Sequence, residues 1–197
     1  MKSGLEMEKA EARLPTRFGE FNIVVFQGAD ACKDSVALVK GEVSGKGGVL
    51  CRVHSQCLTG DAFCSLRCDC REQLEKSMEL IGREGTGIII YLMQEGRGIG
   101  LFNKVRAYAL QEKGLDTVEA NLKLGLPIDS RDYRPAAIIL AELGVKGIRL
   151  LTNNPKKESG MKANGVKVES RVPIPIAPSA NNAEYLRTKR EKLGHLI

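Results

Sequence analysis

The sequence has no tryptophan, and aromatic residues make up only 5% of it. A nucleic-acid-binding module needs stacking aromatics and a basic stripe, and the first of these is nearly missing. The second is missing too. Lys and Arg number 30 against 24 Asp and Glu, a net charge of +6, but no block of five or six like charges occurs. A basic nucleic-acid arm is therefore not indicated, while a small polyanion such as a nucleotide remains compatible. Long apolar runs are also absent. The strongest, Ile88 to Met93, falls far short of the roughly 20 residues of a membrane helix. The first residues, Met-Lys-Ser-Gly-Leu-Glu-Met-Glu-Lys, are too charged for the centre of a signal peptide, so the expectation is a soluble, cytoplasmic protein. Neither internal repeats nor low-complexity tracts break the chain. With 197 residues, 43% hydrophobic and 27% charged, it has ordinary globular composition and the length of one domain.

The order of periodic segments predicts an α/β fold. Residues 1–13 are expected to be a flexible N-terminal segment and residues 14–197 a single domain, with helices layered around a mixed β-sheet. Phe18–Phe26, Val36–Val43 and Val49–His54 read as strands, and Glu72–Glu84 as a helix with Leu74, Met78 and Ile81 on one face. Gly87–Leu92 reads as a buried strand, followed by the glycine-rich loop Gln94–Gly100 and a helix over Leu101–Lys113 that stops at Gly114. Pro135–Leu143 is a further helix and Ile148–Thr152 a strand. Asn153-Asn154-Pro155 reads as a helix cap with proline in the first turn. A last strand is expected at Val166–Val172 and a last helix at Glu184–Leu193.

Six cysteines stand at 32, 51, 57, 64, 68 and 70, five of them within twenty positions. In a chain this long with no export signal, clustered thiols point to metal or catalysis rather than a disulfide framework. Cys57 follows a strand, and the turn Cys68-Asp69-Cys70 can aim two thiolates at one ion. Three thiolates suit Zn²⁺. Cys51, Cys64 and His54 are the candidates for a fourth ligand; if none serves, the open position belongs to water and the site is catalytic. The pattern is not a zinc finger, because paired C-x₂-C or H-x₃-H half-sites are missing. It is not a zinc deaminase either, because no P-C-x-x-C occurs. Gly96-x-Gly98-x-Gly100, between a strand and a helix, allows anion binding by free backbone amides, with Arg97 as a fork-shaped donor. Leu101 replaces the glycine a dinucleotide fingerprint needs, and no Gly-Lys-Ser/Thr follows. Thr152–Lys157 is a second strand-to-helix junction of the kind that binds ligands in open α/β sheets. His195, near the C-terminus, reads as structural or surface.

Taken together, these segments resemble GTP cyclohydrolase II, the entry enzyme of riboflavin synthesis. The resemblance rests on Arg52–Asp61, Ser65–Cys70, Gln94–Leu101, Asn103-Lys104 with Tyr108–Gln111, Asp116–Asn121 and Leu150–Lys157, in that order. It spans Leu14 to Leu196 and leaves no room for the dihydroxybutanone-phosphate synthase domain fused to some members. It implies that GTP loses pyrophosphate while C8 leaves as formate, giving 2,5-diamino-6-ribosylamino-4(3H)-pyrimidinone 5′-phosphate. It further implies one zinc per subunit on Cys57, Cys68 and Cys70, whose activated water attacks C8, Mg²⁺ on the GTP phosphates, and a homodimer. By the same match Asp129 is the proton acceptor, Arg131 the nucleophile toward the α-phosphate, and Tyr108 a residue needed beside the reacting base. Arg52, Val53, His54, Ser55, Gln56, Gln73, Glu95, Gly96, Arg97, Thr117, Thr152 and Lys157 match GTP-contacting positions. Two of these roles can be weighed physically. Arginine, with a pKa above 12, suits charge stabilisation better than nucleophilic attack, and Glu95 is a fitting acceptor for the guanine N1–H and N2–H₂ edge. Gln56 stands where the resembled family has Glu, and Arg71 where it has Gly. Those departures keep open a variant cyclohydrolase with a different product. A zinc-stabilised nucleic-acid-binding module is the remote alternative.

Overall fold

The computed structural model describes residues 8–27, 35–177 and 182–196; Cys32 and the start of the expected N-terminal segment lie outside them. One seven-stranded sheet organises the chain. Its strands are β1 (Glu8–Thr16), β2 (Gly19–Gln27), β3 (Ser35–Lys40), β4 (Val49–Ser55), β5 (Gly87–Leu92), β6 (Ile148–Leu151) and β7 (Val168–Val172), in the order β1-β2-β3-β5-β4-β6-β7. The pairs β1–β2, β2–β3 and β3–β5 are antiparallel, while β5, β4, β6 and β7 run parallel. This is the mixed sheet the sequence predicts. Strand β1 departs from the expectation of a loose segment through residue 13. It pairs with β2 from Glu8↔Gln27 to Thr16↔Gly19, and the Thr16 hydroxyl accepts from the Phe18 amide and donates to the Gly19 carbonyl. It is exposed along nearly its whole length, so backbone pairing rather than apolar burial holds it, and hydrophobic periodicity cannot reveal such a strand.

The helices are α1 (Leu58–Asp61), α2 (Cys70–Glu84), α3 (Gly100–Gln111), α4 (Thr117–Lys123), α5 (Arg134–Glu142), α6 (Pro155–Ala163) and α7 (Ala183–Glu191). Five match expected helices to within a few residues. α1 is a single turn without periodicity. α4 carries a capping box that was open to reading: Asp116 accepts from the Val118 and Glu119 amides, and Glu119 accepts from the Asp116 amide. Asn154 caps α6 as expected, accepting from the Lys156 amide at 3.0 Å.

Alternation along the central strands builds two cores, one on each face. Cys51, Val53, Ile88, Ile90, Leu92 and Leu150 pack against Ala136, Ile139 and Leu140 of α5 and Met161 of α6. Leu50, Ile89 and Leu151 pack on the other face against Ile81 of α2, with Leu74 and Met78 at its margin. Each buried aliphatic side chain contributes about 1.5–3 kcal/mol, so Ile139→Ala would cost about 2–5 kcal/mol. The chain crosses from β4 to β5 on one side and returns to β6 on the other side of β4. Strand order therefore reverses at β4, and a crevice opens beyond the carboxyl ends of β4 and β6, the usual ligand position in such sheets.

Candidate active site and metal centre

Strand β4 delivers the first ligand-type residue to that crevice. Cys57 leaves the strand in an extended conformation as the N-cap of α1, while Cys68 and Cys70 flank Asp69, the N-cap of α2. The three sulfurs lie within 4.8 Å of one another, with Cys57 and Cys68 3.6 Å apart. Tetrahedral zinc with bonds of about 2.3 Å separates its sulfurs by about 3.8 Å, so spacing and donor softness both fit that ion. Among the described residues no fourth Cys, His, Asp or Glu joins the group. His54 is turned to Asp61 at 3.1 Å, Cys64 is exposed, and Cys51 is buried in the α5-side core. A zinc ion held by these three thiols alone would keep one position for water or substrate, as catalytic zinc sites do.

The surrounding groups hold these thiols in place. One Asp61 oxygen accepts from the Cys57 amide at 3.0 Å, from the Tyr91 hydroxyl at 2.8 Å, and faces His54. Gly60 leaves room for sulfur, since a Cβ there would lie 2.9 Å from the Cys68 sulfur and 3.2 Å from that of Cys57. The Lys104 ammonium sits 3.1 Å from the Cys57 sulfur and 2.7 Å from Glu95. Contact with Cys68 and Cys70 holds the Cys57 thiol far below its usual range, helped by Lys104. The same contact with Cys57 pushes Cys68 up to about 11, and Cys70 also rises.

The thiols open into a cleft of about 600 Å³. Of the sequence-predicted residues, Arg52, His54, Ser55, Gln56, Gln73, Glu95, Gly96, Arg97, Tyr108, Thr117, Arg131, Thr152 and Lys157 all line it. Val53 does not present its side chain there; it belongs to the α5-side core, and only its carbonyl takes part, accepting from Lys157 at 2.5 Å. Asp129 lies outside the lining, ion-paired to Arg131 at 2.5 Å. Glu95 is also less free than a guanine acceptor should be: its oxygens accept from the Leu58 and Gly96 amides and from Lys104. Gly96 and Arg97 both adopt left-handed backbone conformation, at φ 62° and 61°, which costs nothing at glycine but is strained at arginine. Arg71 turns away from the cleft to Glu75 and Cys64.

Buried cations dominate the far wall. Burial lowers the Arg52 pKa to about 10, and its guanidinium donates to the Leu151 carbonyl and to Gln73. Burial and the nearby Arg52, Arg131 and Lys189 push Lys157 well below the usual lysine range. A polyanion entering the cleft would relieve that crowding. Arg131 behaves oppositely: burial works against its charge, but Asp129 more than offsets it. The sequence reading missed Asp61, Lys104 and the α7 wall of Tyr185 and Lys189. His195, which by sequence reads as structural or surface, lines the cleft with its ring partly buried and its pKa lowered by burial to about 3. Lys189 and His195 carry no local mark, because they reach the cleft only from the far end of the chain; Asp61, by contrast, acts on Cys57 and His54, four and seven residues back.

The family model for GTP cyclohydrolase II matches residues 7–173. A GTP cyclohydrolase-2 from Proteus mirabilis is 55% identical over 188 residues, covering 95% of this chain and 94% of its own. Another from Picrophilus torridus is 51% identical, covering 95% and 97%. The riboflavin biosynthesis protein RibBA of Salinispora tropica is 53% identical over 95% of this chain but only 47% of its own length. The chain thus spans about half the length of its RibBA relatives and nearly the whole of the two cyclohydrolases.

Proposed function

The chain belongs to the GTP cyclohydrolase II family, and from that membership and the cleft we propose that it hydrolyses GTP to 2,5-diamino-6-ribosylamino-4(3H)-pyrimidinone 5′-phosphate, formate and pyrophosphate. Three waters are consumed, two in releasing C8 and one in cleaving the α–β phosphoanhydride. The observation that carries the reading is that the three-thiol cluster opens into the same cleft as Arg52, Arg131 and Lys157.

Cys57, Cys68 and Cys70 would hold Zn²⁺, which when bound supplies Lewis-acid activation of water for attack on the purine. The chain's own groups do the rest. Arg52, Arg97 and Lys157 neutralise the triphosphate, to which Mg²⁺ is bound in this reading. Tyr108, whose phenol burial keeps protonated and which lies 3.4 Å from Thr59, donates to the opening ring. Asp129, outside the cleft lining but paired to Arg131 that lines it, is in this reading the acceptor of the proton lost by the attacking water. Although burial disfavours its charge, the Arg131 guanidinium holds its carboxyl below the usual range, so it is ionised at neutral pH. Arg131 stays protonated, so its part is to stabilise charge on the α-phosphate, not to attack it. The same reading takes the working form as a cytoplasmic homodimer.

Zinc-loaded protein incubated with GTP and Mg²⁺ should release formate and pyrophosphate in equal amounts, with one product of the stated mass. No formate from a zinc-loaded sample would defeat the reading. Gln56 lines the cleft where the family has Glu, which favours one second reading, a variant cyclohydrolase. A product that retains the formyl carbon or the triphosphate would establish it.

A further inference from the structure

The family match ends at residue 173, yet helix α7 and the residues after it form one wall of the cleft. Lys189 of α7 reaches 2.5 Å from one oxygen of Asp69, the residue between two of the three thiols. Both side chains are almost fully buried, at 8% and 1% exposure. The other Asp69 oxygen accepts from Gln73 at 2.5 Å, and the Gln73 carbonyl accepts from Arg52 at 2.6 Å. Beyond α7 the chain is pinned again, since the Leu196 amide donates to the Asn153 carbonyl at 2.9 Å. One unbroken polar chain thus runs from the C-terminal helix through the Cys68-Asp69-Cys70 turn to a cation of the cleft wall.

We propose that Lys189 is a positioning residue for the catalytic centre: by fixing the Asp69 carboxylate it sets the direction of the Cys68 and Cys70 sulfurs and, through Gln73, the placement of the Arg52 guanidinium. The chemistry supports this over a plain stability role. A carboxylate at the N-cap of α2 would ordinarily turn its oxygens to the first amides of its own helix, but Asp69 makes no such side-chain cap. One of its oxygens is committed outward to Lys189 and the other to the Gln73 side chain of its own helix. The turn that carries two sulfurs is therefore oriented from a helix 120 residues away. Groups that orient metal ligands from behind commonly change affinity or activity by about 10–100-fold when removed.

The turnover arm of the test rests on the proposed cyclohydrolase reading; the spectroscopic arm does not. Wild type, Lys189→Met, Lys189→Arg, Asp69→Asn and the Asp69→Asn/Lys189→Met pair are loaded with Co²⁺, whose visible bands report thiolate geometry, and separately with zinc. The paired variant leaves no unpaired buried charge, so it keeps the test open if Lys189→Met does not fold. Expected are shifted cobalt bands and faster metal loss to a chelator in Lys189→Met and in the pair, with partial recovery in Lys189→Arg. Per bound zinc, kcat should fall about 10–100-fold with KM for GTP little changed, and the paired variant should be no worse than either single change. Unaltered bands and full turnover per bound zinc in a folded Lys189→Met or paired variant would overturn the proposal, as would losses from the two single changes that simply multiply. Shifted bands in a protein whose wild type releases no formate would sink the cyclohydrolase reading and leave the positioning role standing.

Discussion

Gly60 offers a sharp test because ordinary helix energetics and the geometry of the thiol site predict opposite signs. In a helix, Gly→Ala stabilises by about 0.5–1 kcal/mol. At Gly60 the new Cβ would meet the Cys68 sulfur at 2.9 Å, the Cys57 sulfur at 3.2 Å and the Cys70 Cβ at 3.2 Å. Ordinary contacts of this kind sit at about 3.5–4.0 Å, so the sulfurs or the α1 turn must shift by roughly half an ångström. Zinc–sulfur bonds tolerate only about 0.2 Å. Crowding of this kind costs about 1–3 kcal/mol, which exceeds the propensity gain of a one-turn helix. Gly60→Ala should therefore melt lower than wild type when zinc-loaded and lose zinc about 10–100-fold more readily to a chromogenic chelator. The contrast should shrink in metal-free protein, where the thiols are free to rotate away. A variant that keeps wild-type zinc affinity and melts at or above wild type would refute the assignment of Gly60 as the space-maker of the cluster.

Arg131→Lys should retain part of the turnover and Arg131→Ala almost none, because a protonated group that stabilises charge is partly replaced by another cation; steady-state kinetics decide, and equal inactivity of both would count against charge stabilisation. Glu95→Gln should lower stability by about 1–3 kcal/mol, since Lys104 loses its carboxylate and keeps the Cys57 sulfur as its charged partner; urea denaturation showing a loss of less than about 0.5 kcal/mol would contradict this. His195 provides a pH test. Its folded pKa, lowered by burial to about 3, lies below the unfolded value of about 6.5. The unfolded chain thus binds more protons between these values, so the contribution of His195 is complete above about pH 6.5 and drains away as pH falls toward 3. Discounted for the partly exposed ring, His195→Asn should lose about 1 kcal/mol less than wild type between pH 7 and pH 5; equal losses in denaturant melts at the two pH values would rule the effect out.

How much of this was legible beforehand depends on the distance over which each feature acts. The Cys57, Cys68 and Cys70 cluster is readable because three soft donors of one type stand within fourteen positions and two share a turn. Strand β5 and helix α6 declare themselves through an isoleucine run and an Asn-Pro cap. Strand β1 does not, because main-chain pairing alone holds it. Asp129 and Arg131, between Pro127 and Tyr133, look like loop charges and enter only through resemblance. Lys189 and His195 carry no local sign at all; they become site residues when α7 docks across the cleft. Glu95 teaches the converse, since a carboxylate well suited to guanine by chemistry also accepts from Lys104 and two backbone amides, which no local pattern announces.

Strand β1 is the outermost member of the sheet, and among the described residues no strand pairs with its free side. Such a margin is a template on which a stranger's strand could extend the sheet. The sequence there reads Glu8-Lys9-Ala10-Glu11-Ala12-Arg13-Leu14-Pro15, charges of both signs closing on an imino acid with no N–H to offer. An unwanted guest would have to desolvate those charges and forgo a rung at Pro15. A variant with valine or threonine in place of Lys9, Glu11, Arg13 and Pro15 would keep the hairpin and lose the deterrent, and fibrils rather than misfolded monomers would be its characteristic failure.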